Sequence, residues 1–143
     1  MPLTITIQAL RRAIPDCRVI AFVDLSARLV LRAEAEHPQP QEFYDALCLR
    51  GALLLGGQAA AASTEVFGTD QAPPEAVLLH GGGFELFVRA PRDPDEALCA
   101  VIGGEADIAA ALAAMRATMA EIVEIVDAAP PATAAGGSQE RGR

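Results

Sequence analysis

Leu3, Ile7, Leu10 and Ile14 recur at spacings of four, three and four. That spacing puts them on one stripe of an amphipathic helix. Thr4 or Thr6 suits its start, and Pro15 marks its end. Residues 17–23 (Cys-Arg-Val-Ile-Ala-Phe-Val) are almost continuously β-prone, the pattern of a central strand covered on both faces. Asp24-Leu25-Ser26-Ala27 reads as a turn whose polar side chains bond local backbone groups. Residues 28–35 then alternate, with Leu29 and Leu31 set against Arg28, Val30 and Arg32, as in a hairpin partner with one wetter face.

His37-Pro38-Gln39-Pro40 breaks the pattern, and a long helix is predicted from residue 41 to about residue 61. On it Phe43, Leu47 and Leu54 form one apolar stripe, and Tyr44, Cys48, Ala52 and Leu55 a second beside it. A helix resting on one sheet needs a single apolar face, so the extra stripe predicts a partner. Ala46, Gly51, Gly56 and Gly57 leave room for another backbone to approach. Residues 64–74 read as a polar connector holding a short β-prone piece, Glu65-Val66-Phe67. Strands over 76–80 and 84–90 flank Gly81-Gly82-Gly83, which reads as a tight turn of glycines at positive φ. A strand over 97–102 follows the Pro91–Asp95 turn. In the closing helix Ile108, Leu112, Met115, Met119, Ile122 and Val126 recur at spacings of four and three. By default that stripe packs across the sheet, the rival reading being a partner helix.

The predicted order is α-β-β-α-β-β-β-α, an α+β domain over residues 1–127 with a five-stranded antiparallel sheet flanked by helices. Residues 128–143 read as a disordered tail by composition.

Composition narrows the functional classes. The 143 residues are 52% hydrophobic but only 4% aromatic, so a core is available, built from Ala, Leu, Ile and Val, and general disorder is excluded. The net charge is −8 and every basic residue is Arg, which argues against nucleic acid as a partner. The longest charge-free run, residues 51–64, falls short of the roughly 20 apolar residues of a membrane span. Arg11-Arg12 follows the first apolar residues, the reverse of a secretory signal, so a cytoplasmic protein is expected. Cys17, Cys48 and Cys99 form no Cys-x-x-Cys and read as buried thiols in a reducing compartment.

The most suggestive chemical string is Leu79-His80-Gly81-Gly82-Gly83-Phe84, close to the oxyanion-hole motif of lipase-like hydrolases. That chemistry needs Gly-x-Ser-x-Gly, and none of Ser26, Ser63 and Ser138 has it. His37 and His80 share no ligand spacing with each other, and without Lys there is no phosphate-binding loop. The pairs Glu34/Glu36, Asp93/Asp95 and Glu121/Glu124 read as solvated faces and turns. No catalytic, cofactor or metal site is expected.

The element order, Val19-Ile20-Ala21-Phe22-Val23-Asp24 with Leu29-Val30-Leu31, Tyr44-Asp45-Ala46-Leu47, and Leu98-Cys99-Ala100-Val101-Ile102 together resemble the roadblock family of dynein light chains over residues 3–126. Two departures stand out. Asp24-Leu25-Ser26 replaces the usual Asp-Gly type of turn, and the connector after the long helix is longer. The resemblance implies a profilin-like fold and a homodimer or heterodimer. It also implies a scaffold or regulator of small Ras-like GTPases that is not itself an enzyme. Carried over by position, the pairing surface comprises Phe43, Tyr44, Leu47, Gly51, Leu54 and Leu55 on the long helix and Val77 and Leu79 on the edge strand. A different class, a small-molecule sensor of profilin-like, PAS or GAF type, would need a pocket lined by convergent polar groups. The strands offer Val, Leu, Ile and Ala instead.

Overall fold

Alternation along the first strand decides the layering. The computed structural model describes residues 2–128. In it β1 (Cys17–Asp24) sends Val19, Ala21 and Val23 to one face of a sheet, and Ile20 and Phe22 to the other. The first face carries α2 (Gln41–Gly56), and the second carries α1 (Pro2–Ala13) and α4 (Ile108–Ala128). Around β1 lie β2 (Leu29–Ala35), β3 (Glu75–His80), β4 (Gly83–Arg89) and β5 (Glu96–Ile102). The sheet order is β2-β1-β5-β4-β3 with every neighbour antiparallel. Three central strands are thus covered on both sides, which explains why β1 and β5 are continuous apolar runs.

The α1 stripe packs as its spacing predicts, with Ile7, Leu10 and Ile14 buried. The helix nevertheless starts at Pro2, ahead of both threonines, because a proline at the first turn has no N–H to leave unpaired. The Asp24 turn forms as expected: its Oδ1 accepts from Ser26 Oγ at 2.8 Å and from the Ala27 N–H at 2.9 Å. β2 departs from expectation. A bulge opposite Phe22 and Val23 leaves Leu31 outside the paired register, and Leu29 and Leu31 face outward while Val30, Ala33 and Ala35 pack under α2.

The predicted long helix is two helices. α2 ends at Gly56, and α3 (Gln58–Phe67) starts after Gly57. A Cβ at Gly57 would stand 2.9 Å from the Leu53 carbonyl oxygen, so the break needs glycine there. The β-prone piece Glu65-Val66-Phe67 is the last turn of α3, since the four alanines before it favour helix and carry Val66 along. By length and composition the stretch Gln41–Phe67 is apolar enough to cross a membrane, contrary to the run-length reading. It is interrupted at Gly57, however, and Arg50 within it is ion-paired to the sheet. On α4, Met115, Met119 and Ile122 are buried against the sheet, which agrees with the packing default, while Val126 is exposed. The helix runs through Ala128, one residue past the expected domain end, and the tail over 129–143 lies outside the described residues.

All three cysteines are free and buried, and burial pushes the Cys17 thiol up to about 11. These thiols are therefore poor nucleophiles.

Glu75 ties the start of β3 to α4. Arg116 donates to both of its carboxylate oxygens, through Nη2 at 2.8 Å and through Nε, and this holds the carboxyl below its ordinary value of 4.5. A carboxyl depressed in the folded state stabilises at pH above its unfolded value, and that contribution is lost as pH falls through the folded value. Glu75→Gln is therefore expected to be slightly less stable than the parent at neutral pH. The gap should close on acidification below 4.5. Urea titrations at the two pH values check it, and a gap that persists in acid contradicts it.

Candidate functional site

A sheet with two edges has two places where it can be extended, and here the edges differ. β2 is bulged and carries Arg32 and Glu34, features that discourage pairing with another chain. β3 is regular over all six residues against β4 and has no Pro or bulge. Its Val77 and Leu79 are 44% and 71% exposed on the α1/α4 side, while Ala76 and Leu78 lean against the α2 side. An unblunted apolar edge is a template for another strand.

Beside that edge lies α2. Its inward face seats Leu47, Cys48, Gly51 and Leu55 on the sheet, all buried. Gly51 permits the close seat, since a Cβ there would come within 3.1 Å of the Leu25 side chain and 3.2 Å of the Phe87 ring. About 200° around the helix from Leu47 lies Leu49, which with Leu53 one turn on is 38% and 50% exposed. The two aromatic rings near the start of α2, Phe43 and Tyr44, meet edge to face at 5.3 Å and are half-buried.

A bidentate ion pair locks this helix to the hairpin that carries the free edge. Arg50 donates from Nε to Glu85 Oε1 at 2.6 Å and from Nη2 to Oε2 at 2.8 Å. Glu85 is buried on β4, and His80 Nε2 lies 3.9 Å from its Oε2. His80 Nδ1 accepts from the Gly82 N–H at 3.1 Å, so the proton of the neutral ring sits on Nε2. The glycine string that suggested an oxyanion hole is thus the β3–β4 turn, with positive φ at Gly83 and not at Gly81 or Gly82. Arg89 closes the other end: its guanidinium donates to the carbonyls of Leu55, at the end of α2, and of Pro73 and Pro94.

The cavities lie at the margins of the helices. One of about 260 Å³ sits between the last turns of α4 and the β4–β5 loop, lined in part by Phe22, Met119, Arg92 and Asp127. Away from that cavity, much of the space between sheet and helices is taken by buried side chains such as Phe87, Leu86 and Met115.

No protein-family model and no curated protein matches the sequence. Solved structures do match in three dimensions. A Roadblock/LC7 domain from Streptomyces avermitilis superposes at a TM-score of 0.72 with 15% identity, covering 87% of this chain and 97% of that one. The chain has the Roadblock/LC7 fold. The gliding protein MglB of Thermus thermophilus is similar at a TM-score of 0.72 and 16% identity, over 89% of this chain and 90% of its own. A further MglB structure, in a tetrameric arrangement, has the same TM-score and identity over 88% of each chain. The expected α+β architecture and the resemblance drawn from the sequence therefore hold at the level of fold.

Within this Roadblock/LC7 fold the residues expected on the pairing surface divide. Val77 and Leu79 are exposed at the free edge, and Phe43, Tyr44 and Leu54 are half-buried. Leu47, Gly51 and Leu55 belong to the chain's own core and are not accessible to a partner in this conformation. Leu49 and Leu53, exposed on the same helix, were not among the expected residues. Their mutual spacing of four, opposite the Leu47–Leu55 stripe, was the available signal.

Proposed function

We propose that this chain is a non-catalytic adaptor that pairs with a second copy through the outward face of α2 and the β3 edge. The composite surface then binds a small Ras-like GTPase or another protein. The observation that carries the reading is the regular, apolar, unpaired β3 edge lying beside an exposed apolar helix face. Antiparallel apposition of two β3 strands about a two-fold axis would satisfy their free N–H and C=O groups and extend one sheet across both copies. The same axis brings the two α2 helices together antiparallel. The tetrameric arrangement of a similarly folded MglB supports self-association. The GTPase part rests on the family resemblance, and the charge of −8 adds that a partner with a basic face would be favoured.

Sedimentation equilibrium tests the pairing. A dimer with a dissociation constant of about 1 μM or tighter is expected, and a monomer at high micromolar concentration overturns the reading. Calorimetric titration of the dimer with GTP-loaded Ras-like GTPases of its own organism tests the second half.

A further inference from the structure

The cavity between the end of α4 and the sheet has two unlike walls. Phe22 of β1 faces Met119, Ile122 and Val126 of α4 across it, and the first three of these are buried, so this side of the space is apolar. The other wall is acidic. Alternation along β5 carries Glu96 to the same sheet face as Leu98, and the register sets it beside Asp24 of β1. Three carboxylates, those of Asp93, Glu96 and Asp127, line the space against the single guanidinium of Arg92. Two of them are already engaged, since Arg92 donates to Asp127 and the Asp95 N–H donates to Asp93 Oδ1 at 2.9 Å. The half-buried Glu96 carboxylate has neither a hydrogen-bond donor nor a cation beside it among the described residues. Burial, and then the charges of Asp93 and Asp24, push its pKa above the ordinary 4.5.

We propose that this cavity binds a small amphipathic cation, an amine on a single-ring body, with the ring against Phe22, Met119 and Ile122 and the ammonium on Glu96. Size sets the body of the ligand. The cavity holds about 260 Å³, and an apolar cavity of about 150 Å³ takes up benzene, so one ring with a short chain fits. Charge sets the head. A carboxylate at the edge of apolar surface, without a counter-ion and beside two like charges, is stabilised by a cation that also donates to it. An anion would add to the repulsion and would find the one guanidinium already held by Asp127. Apolar walls with a few convergent polar groups are the usual make-up of a small-ligand site. The cavity lies on the α1 and α4 face of the sheet, opposite α2, so the proposal does not depend on the pairing above.

Phenethylamine and its uncharged counterpart, phenethyl alcohol, serve as probes in a titration followed by methyl NMR of the full chain at neutral pH. The amine should bind with a dissociation constant of about 1 mM or tighter, and its shifts should centre on the methyl groups of Met119, Ile122, Val123 and Val126. The alcohol should bind about tenfold more weakly, a comparison made on the parent chain and free of any folding defect. Glu96→Gln, which keeps the shape of the side chain, should weaken the amine about tenfold or more and leave the alcohol unchanged. Glu124→Gln, on the exposed side of the same helix, should change neither. If the parent shows no shift at those methyls with about 10 mM amine, the cavity holds water only and the proposal fails. It fails equally if the alcohol binds as tightly as the amine, or if Glu96→Gln binds the amine with parental affinity.

Discussion

Leu53→Glu is expected to raise the dimer dissociation constant by more than about 100-fold while leaving the monomer folded. Leu53 lies on the outward side of α2, half exposed, with Leu49 one turn before it. In the single chain a carboxylate there stays in water, so monomer stability should change by no more than about 0.5 kcal/mol. In the pair it is desolvated without a counter-charge, which costs about 3 kcal/mol or more. The two-fold axis adds to this, because each copy contributes its own carboxylate to the same narrow contact. Leu47→Glu makes the contrast, since Leu47 is fully buried against the sheet and its replacement should unfold the chain outright. Sedimentation equilibrium and urea unfolding on both variants separate the effects. A Leu53→Glu chain that still dimerises with parental affinity would place the interface elsewhere.

Much of the architecture was legible because β1, β5, α1 and α4 each obey a single periodicity over most of their length. The layering of β1 follows directly from its uninterrupted apolar run, since only a strand covered on both sides needs one. The parts that escaped are those where two local rules compete. In residues 57–67 a helix-breaking glycine, four alanines and a β-branched end point to a strand, a loop or a helix. Helix prevails because the alanines outweigh Val66 once Gly57 has ended α2. In β2 a single-residue bulge turns both leucines outward and puts Val30, Ala33 and Ala35 inward, and no alternation pattern anticipates that.

The candidate site was half legible for a related reason. Two adjacent stripes on α2 signalled a helix apolar over much of its girth, yet the leucines left exposed, Leu49 and Leu53, belong to neither stripe. Periodicity does not say which stripe the chain keeps for itself. The chain draws on both: with α2 seated close to Leu25 and Phe87 at Gly51, Leu47 of the first stripe and Cys48 and Leu55 of the second all face the sheet. Leu49 and Leu53 are then left outward. The ion pair between Arg50 and Glu85 was not anticipated at all, since thirty-five positions separate the partners and neither belongs to a motif.

That ion pair carries the other large effect. Arg50→Met is expected to destabilise the chain by about 3 kcal/mol, because it leaves the Glu85 carboxylate buried beside α2 with no cation to accept from. His80 does not replace the arginine: its Nε2 stands 3.9 Å away, beyond hydrogen-bond reach, and its Nδ1 is engaged by the turn. Methionine keeps the apolar stem of Arg50 on the helix, so the loss reports the charge pair and not a cavity. The double variant Arg50→Met/Glu85→Leu should recover most of the stability, since apolar side chains tolerate the same burial. The chain has no Trp, so unfolding is best followed by far-UV circular dichroism. If the single variant unfolds at the parental urea midpoint, Glu85 is reaching water by another route. Because Arg50 stands on α2 and Glu85 on the hairpin that carries β3, the pair sets the position of the helix face relative to the free edge. The single variant should therefore also weaken pairing, although neither residue lies on the proposed contact, and the double variant should restore it only as far as α2 returns to the same seat.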